Sequence, residues 1–225
     1  MRFLHTTLPS FSGWMIGGLI MPGLLLATPP PPEIFPSDTT AQRVLNEART
    51  AFEAVEDFTA DFAYAIVSPR MAHPPFEGKL SYRDGYFNLQ VGSQTIFCDN
   101  HTQWEYDAEK AEVRIFDHQP NRGIALIFDI FLRGKGATYL GKEQVNGQSC
   151  MVIAMQELPT SRYQRAKIWI SESLELPVKI VLESDPQTRV IFEFSNIKLN
   201  QQLPPECFYF NVEAYPHVLV IDERK

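Results

Sequence analysis

Residues that could carry chemistry are few and poorly placed for it. His73, His101, His118 and His217 are scattered, with no pair at ligand spacing, and no Cys-x-x-Cys occurs, so a structural metal site is not expected. Gly134-Lys135-Gly136 lacks the rest of a phosphate-binding loop, and there is no Gly-x-Ser-x-Gly elbow. Acidic residues fall mostly in turns and on the polar faces of strand-like runs, where solvated charge is the default. The expectation is a protein with no catalytic residues, no metal and no cofactor, and so not an enzyme.

What the chain has in excess is rings. Sixteen Phe and eight Tyr, mostly spread through strand-like runs, are more than one small core needs. Cys98, Cys150 and Cys207 are odd in number, and each sits beside apolar strand residues, so buried thiols acting as small hydrophobes are expected. The net charge of −7 makes the chain a poor ligand for nucleic acid or anionic membrane surfaces, which demand clustered Lys and Arg.

The elements that would position these rings follow from periodicity. Thr39 opens a helix with Gln42 three residues on, and Ala41, Val44, Leu45, Ala48, Phe52 and Val55 recur at helical spacing, an amphipathic helix with one apolar stripe. From Phe58 the period becomes two: Phe58, Ala60, Phe62, Tyr64 and Ile66 share a face. Strand-like runs continue at 76–82, 86–91, 94–98, 102–106 and 112–116, separated by turn signals such as Asp84-Gly85 and Gly92-Ser93. After Asn121, a candidate cap, residues Ile124 to Leu132 form a helix apolar nearly all round, closed by Gly134, which must be buried on more than one side. Strands resume at 138–143, 150–156, 166–171, 177–183 and 190–199, with Asn146-Gly147 a strong hairpin signal, and apolar runs follow at 208–210 and 218–221.

Few helices and many consecutive strands favour a mainly β fold with an α lid: a single half-open, unclosed antiparallel β-barrel of about 11 strands, its helices packed over the mouth. Residues 1–28 read as a signal peptide or N-terminal anchor, with Arg2 followed by an uncharged apolar run from Gly13 to Ala27 that is short for the roughly 20 residues of a membrane span. Residues 29–38 read as a proline-rich linker and 39–225 as the folded domain.

Four stretches, in order, resemble the outer-membrane lipoprotein carrier (LolA) family. Asp99 to Asp107 is similar to its DG-x-x-x-W-x-Y strand through Trp104 and Tyr106. Arg83-Asp84-Gly85-Tyr86-Phe87 resembles its R-P-x-x-F segment, with Asp84 in place of Pro. The apolar helix falls where that family places a lid, and the tail from Phe208 through Tyr215-Pro216 to Asp222 is close to its F-x-F…P-G-V-x-V-I-D ending, with His217 in place of Gly. The resemblance implies a half-barrel lined by Phe62, Tyr64, Trp104 and Tyr106, with Phe87 at the rim. Val44, Leu45, Phe52, Ile127, Phe128 and Phe131 would be lid residues that plug the empty cavity. Arg83 would be a latch on lid carbonyls, although Leu80 and Tyr82 share a face, which leaves Arg83 on the other unless a bulge intervenes.

The function implied is that of a periplasmic carrier, exported by its leader and monomeric. It would shield the acyl chains of lipoproteins between the inner and outer membranes, served by an inner-membrane lipoprotein-release transporter and an outer-membrane acceptor. The alternative on the same fold is a periplasmic carrier of free lipid or glycolipid.

Overall fold

The computed structural model describes residues 39–225 apart from Arg70, His73 and Asn121. The expected leader (1–28) and linker (29–38), the Asn121 cap and His73 lie outside the described residues. Helix α1 (Thr39–Glu53) buries Ala41, Val44, Leu45, Ala48 and Phe52, and exposes an Arg43–Glu47 pair at 2.8 Å. Then come β1 (Phe58–Ser68), the two-residue β2 (Met71–Ala72), β3 (Phe76–Arg83), β4 (Tyr86–Val91), β5 (Gln94–Cys98), β6 (Thr102–Asp107) and β7 (Glu112–Asp117). Helix α2 (Gly123–Arg133) interrupts the meander, which resumes with β8 (Thr138–Val145), β9 (Gln148–Met155), β10 (Arg165–Ser171), β11 (Pro177–Asp185) and β12 (Thr188–Leu199). A short β13 (Leu219–Asp222) ends it.

The strands form one unclosed sheet in the order β13-β7-β6-β5-β4-β3-β1-β12-β11-β10-β9-β8, with β2 beside β1. The long β1 is its axis, pairing with β3 on one side and β12 on the other. From β1 the chain meanders outward to β7. It then returns across the sheet through α2, about 16 Å long at 1.5 Å per residue, and meanders back from the far edge to β12. A chain that leaves one edge and re-enters at the other must cross a face of the sheet. An apolar segment making that crossing buries itself by packing against an apolar face, and six residues of α2 are buried.

Local chemistry fixes the hairpins. Asp84 and Gly85 have φ of 44° and 85°, and Asn146 and Gly147 have 50° and 78°, the successive positive values a two-residue turn between twisted strands requires. Bulges at Thr59/Asp61, Trp169/Ile170 and Tyr139/Gly141 add the bending that curves the sheet.

The expected half-open barrel is borne out, with two differences. The path holds twelve strands, and β13 lies parallel to β7 rather than antiparallel. The run 208–210 is not a strand. Pro204 and Pro205 open a short 3-10 turn through Phe208 instead, and the chain from there covers the outer face of β4–β7. No helix among the described residues is long and apolar enough to cross a membrane.

Candidate functional site

The concave face is built from one row of alternating residues after another. Across the sheet Ile153, Ile168, Ile180, Phe192, Tyr64 and Phe76 are successive cross-strand partners, and all but Tyr64 and the exposed Phe76 are buried. Both helices pack against this face. Phe52 of α1 meets Phe128 at 5.4 Å, Phe131 at 5.6 Å and Tyr82 at 5.6 Å between ring centroids. Phe128 in turn meets Tyr82 at 4.7 Å and Phe58 at 6.2 Å. The expected lid residues Val44, Leu45, Phe52, Ile127, Phe128 and Phe131 are all buried beneath the helices. Aromatic pairs in such geometries are each worth about 0.5–1.5 kcal/mol beyond the area they bury.

Arg49 of α1 locks the two helices together. Its Nε donates to the Phe131 carbonyl at 3.0 Å and its Nη2 to the Gly134 carbonyl at 2.6 Å. These oxygens end α2, where carbonyls lack partners within the helix. The cation there also complements the helix dipole. Burial draws the guanidinium below its ordinary pKa, and the Glu53 carboxylate works the other way.

Arg83 does not take that position. Tyr82 faces inward, so Arg83 faces outward, where it donates to the Leu203 carbonyl and sits 5.7 Å from the Phe208 ring. It ties down the segment after β12, not the lid. Trp104 and Tyr106 are likewise on the outer face, contrary to the expected cavity wall. Tyr106 packs in tilted geometry against Phe210 at 5.0 Å and Tyr215 at 5.1 Å, and Trp104 is the cross-strand partner of Phe97, which packs against Phe210. The alternation of β6 points Gln103 and Glu105 inward instead.

The lid does not fill the concavity. A cavity of about 350 Å³ lies between the first half of α2 and the inner face, walled by Phe62, Tyr64, Leu89, Ile127 and Phe192, with Arg162 and Tyr163 at its edge. A second of about 290 Å³, lined by Phe87, Ile96, Gln103 and Glu105, meets it at Leu89, Gly123 and Ile124. Phe62, Tyr64, Ile127 and Phe87 therefore line the hollow, although Phe87, expected at the rim, is 4% exposed and buried within it. Cys98 lies beside the second cavity, its sulfur 3.1 Å from His118 Nδ1; burial pushes the thiol up to about 11 and the imidazole below its ordinary value. A thiol held in its protonated form is a packing group, not a nucleophile.

Sequence reasoning missed Arg49 and Arg162. Arg49 sits on the border of α1's apolar stripe, next to Ala48, the one local sign that its side chain could reach a neighbouring helix. Arg162 lies in the loop between β9 and β10 and carries no local sign.

Residues 129–215 match the model of a family described as "Predicted periplasmic protein (DUF2092)". That description bears out the periplasmic location expected from the leader. No curated protein matches the chain. Among solved structures, an uncharacterized conserved protein from Thermus thermophilus superposes with a TM-score of 0.56 at 9% identity, covering 82% of this chain and 99% of its own, and so shares the fold. Similar structures also include a LolA superfamily protein from Nitrosomonas europaea (TM-score 0.41, 13% identity, 76% of this chain and 97% of its own). The lipoprotein LppX from Mycobacterium tuberculosis is another (0.47, 10%, 75% and 99%).

Proposed function

We propose that the protein is a periplasmic carrier, without catalytic activity, that shields the acyl chains of lipoproteins and shuttles them from the inner to the outer membrane. The observation that carries this reading is the Arg49-fastened pair of helices over an apolar concave face that they do not fill. Each methylene exposed to water costs about 0.8 kcal/mol, so an acylated protein needs such a shelter to leave a membrane. A shelter that kept the whole of that energy would never release its load. Here cargo displaces Phe52, Phe128 and Phe131 and breaks the Arg49 bonds, so it gains only the difference between its own contacts and those of the lid. Loading would come from an inner-membrane release transporter and unloading from an outer-membrane acceptor.

The test adds the purified protein to inner-membrane vesicles carrying labelled lipoproteins, the release transporter and ATP. The expected result is labelled cargo in a soluble one-to-one complex. Cargo that stays with the vesicles contradicts the reading. Carriage of free lipid is the second reading, favoured by a cavity already open beneath the closed lid.

A further inference from the structure

We propose that the cavity beneath the first half of α2 is a ready-made seat for one acyl chain bearing an anionic head group, with the head held by Arg162. The inference rests on the reading of the protein as a carrier of acyl chains and names the chemistry one part of it selects.

Size comes first. At about 30 Å³ for each water-sized group, the cavity of about 350 Å³ accepts about a dozen such groups. That is room for one hydrocarbon chain, and the hollow that adjoins it carries Gln103, Glu105 and Asp117 in its lining, a poorer surface for a second. Its walls are Phe, Leu, Val and Ile side chains from β1, β4, β12 and α2, so the chain would replace water against apolar surface.

Charge comes second. The protein is acidic, at −7, yet no Asp or Glu lines this cavity, and its single charged residue is Arg162. Arg162 forms no ion pair among the described residues, whereas the neighbouring cavity carries Glu105 and Asp117 beside Arg122. A guanidinium keeps its charge and offers a fork of donors that fits a carboxylate or a phosphate. Gln94, Tyr64 and Tyr163 line the same cavity and add uncharged donor groups to it. Phe76, 53% exposed, borders the opening with its ring 6.1 Å from that of Tyr64, a short apolar ramp into the site.

Position comes third. The rings that pin the lid, Phe52, Phe128 and Phe131, meet at the other end of α2, where Arg49 holds it. One chain can therefore enter while the lid stays shut, and a larger load must open it.

The experiment titrates the purified full chain with straight-chain carboxylates from octanoate to stearate, with the matching alcohols, with single-chain lysophosphatidylglycerol and with two-chain phosphatidylglycerol, using displacement of a fluorescent fatty acid and native mass spectrometry. The carboxylates are expected to gain about fourfold in affinity per added methylene and to level off near a dozen carbons. Each alcohol should bind at least tenfold more weakly than its acid. Arg162→Ala should erase that difference by weakening the acids alone, and Leu126→Trp, which fills the cavity, should abolish both. Circular dichroism checks that each variant folds, and the Arg162→Ala arm decides if Leu126→Trp does not.

Tighter binding of lysophosphatidylglycerol than of the fatty acids supports the seat with a phosphate as its head, and the reverse supports it with a carboxylate. Acids and alcohols binding alike, or an unchanged preference in Arg162→Ala, overturns it. Binding of two-chain lipid or acylated peptide with no single-chain ligand overturns the seat and leaves the carrier reading intact. No lipid of any kind removes both.

Discussion

The two ends of the sheet divide their apolar residues differently between the two faces. From β9 to β12 the inward residues are Ile153, Ile168, Ile180 and Phe192, and the outward ones include Lys167, Lys179 and Glu193 around a small cluster at Trp169. Towards the other edge this row crosses over, while Phe87 and Cys98 on the next inward row stay buried. The inward row runs Leu80, Leu89, Ile96, then Glu105 and Arg114, while the outward row runs Ser81, Asn88, then Phe97, Trp104 and Ile115. The cause lies in what covers each face. Helices α1 and α2 cover the concave side of the first region, and the segment 203–218 covers the convex side of the second, seating Phe208 and Phe210 on it. Alternation states that a strand has two faces; only the covering element decides which one is core.

The largest effect expected from breaking this contrast comes from Phe210→Ala. Phe210 is 4% exposed and touches Phe97, Tyr106 and Tyr215. Its loss should cost about 3 kcal/mol, measured by urea unfolding, while acyl-chain binding by the folded fraction stays the same. A binding defect at full folding would put the convex face in the site.

Next is Arg49→Ala, which removes two hydrogen bonds from the end of α2 and should cost roughly 1–2 kcal/mol after allowance for partial exposure. Hydrogen exchange should quicken in α2 and leave β9–β12 protected. Arg83→Leu sharpens the same distinction, because it should quicken exchange near Leu203 and spare α2. The reverse pattern would make Arg83 the latch after all.

A smaller effect is expected from Glu105→Gln, an exposed carboxylate on the inward polar row, with stability changed by no more than about 0.5 kcal/mol. Smallest is the pH dependence of His118. Burial holds its pKa below the ordinary 6.5, so the unfolded chain binds the proton first as pH falls. Stability from the neutral ring is whole above that value and declines as pH drops below it towards the folded pKa. Melting temperature against pH should lose that part of its slope in His118→Gln.

Much of the fold can be read from the sequence because strands of period two and hairpins such as Asn146-Gly147 are local. The long apolar helix is also self-declaring, since nothing but burial suits Ile124 to Leu132. The lid rings Phe52, Phe128 and Phe131 follow from those stripes. What could not be read depends on distant partners. Trp104 and Tyr106 share a face, as their spacing requires, but the chain that covers it arrives about a hundred residues later. The parallel pairing of β13 with β7 has the same origin. Arg83 was decided by parity with Tyr82, and that local rule outweighed the motif it resembled. Arg49 acts on carbonyls 82 and 85 residues away, a contact that no window along the chain contains.

The most direct test of the central claim asks which face the acyl chain touches. A photo-reactive phenylalanine analogue would be placed at Phe62 on the concave face and, in a second protein, at Tyr106 on the convex face, and each would be illuminated with acylated cargo bound. Cross-linking to the acyl chain from position 62 and none from position 106 is the predicted result. Cross-linking from 106 alone would place the lipid under the C-terminal segment and contradict the account.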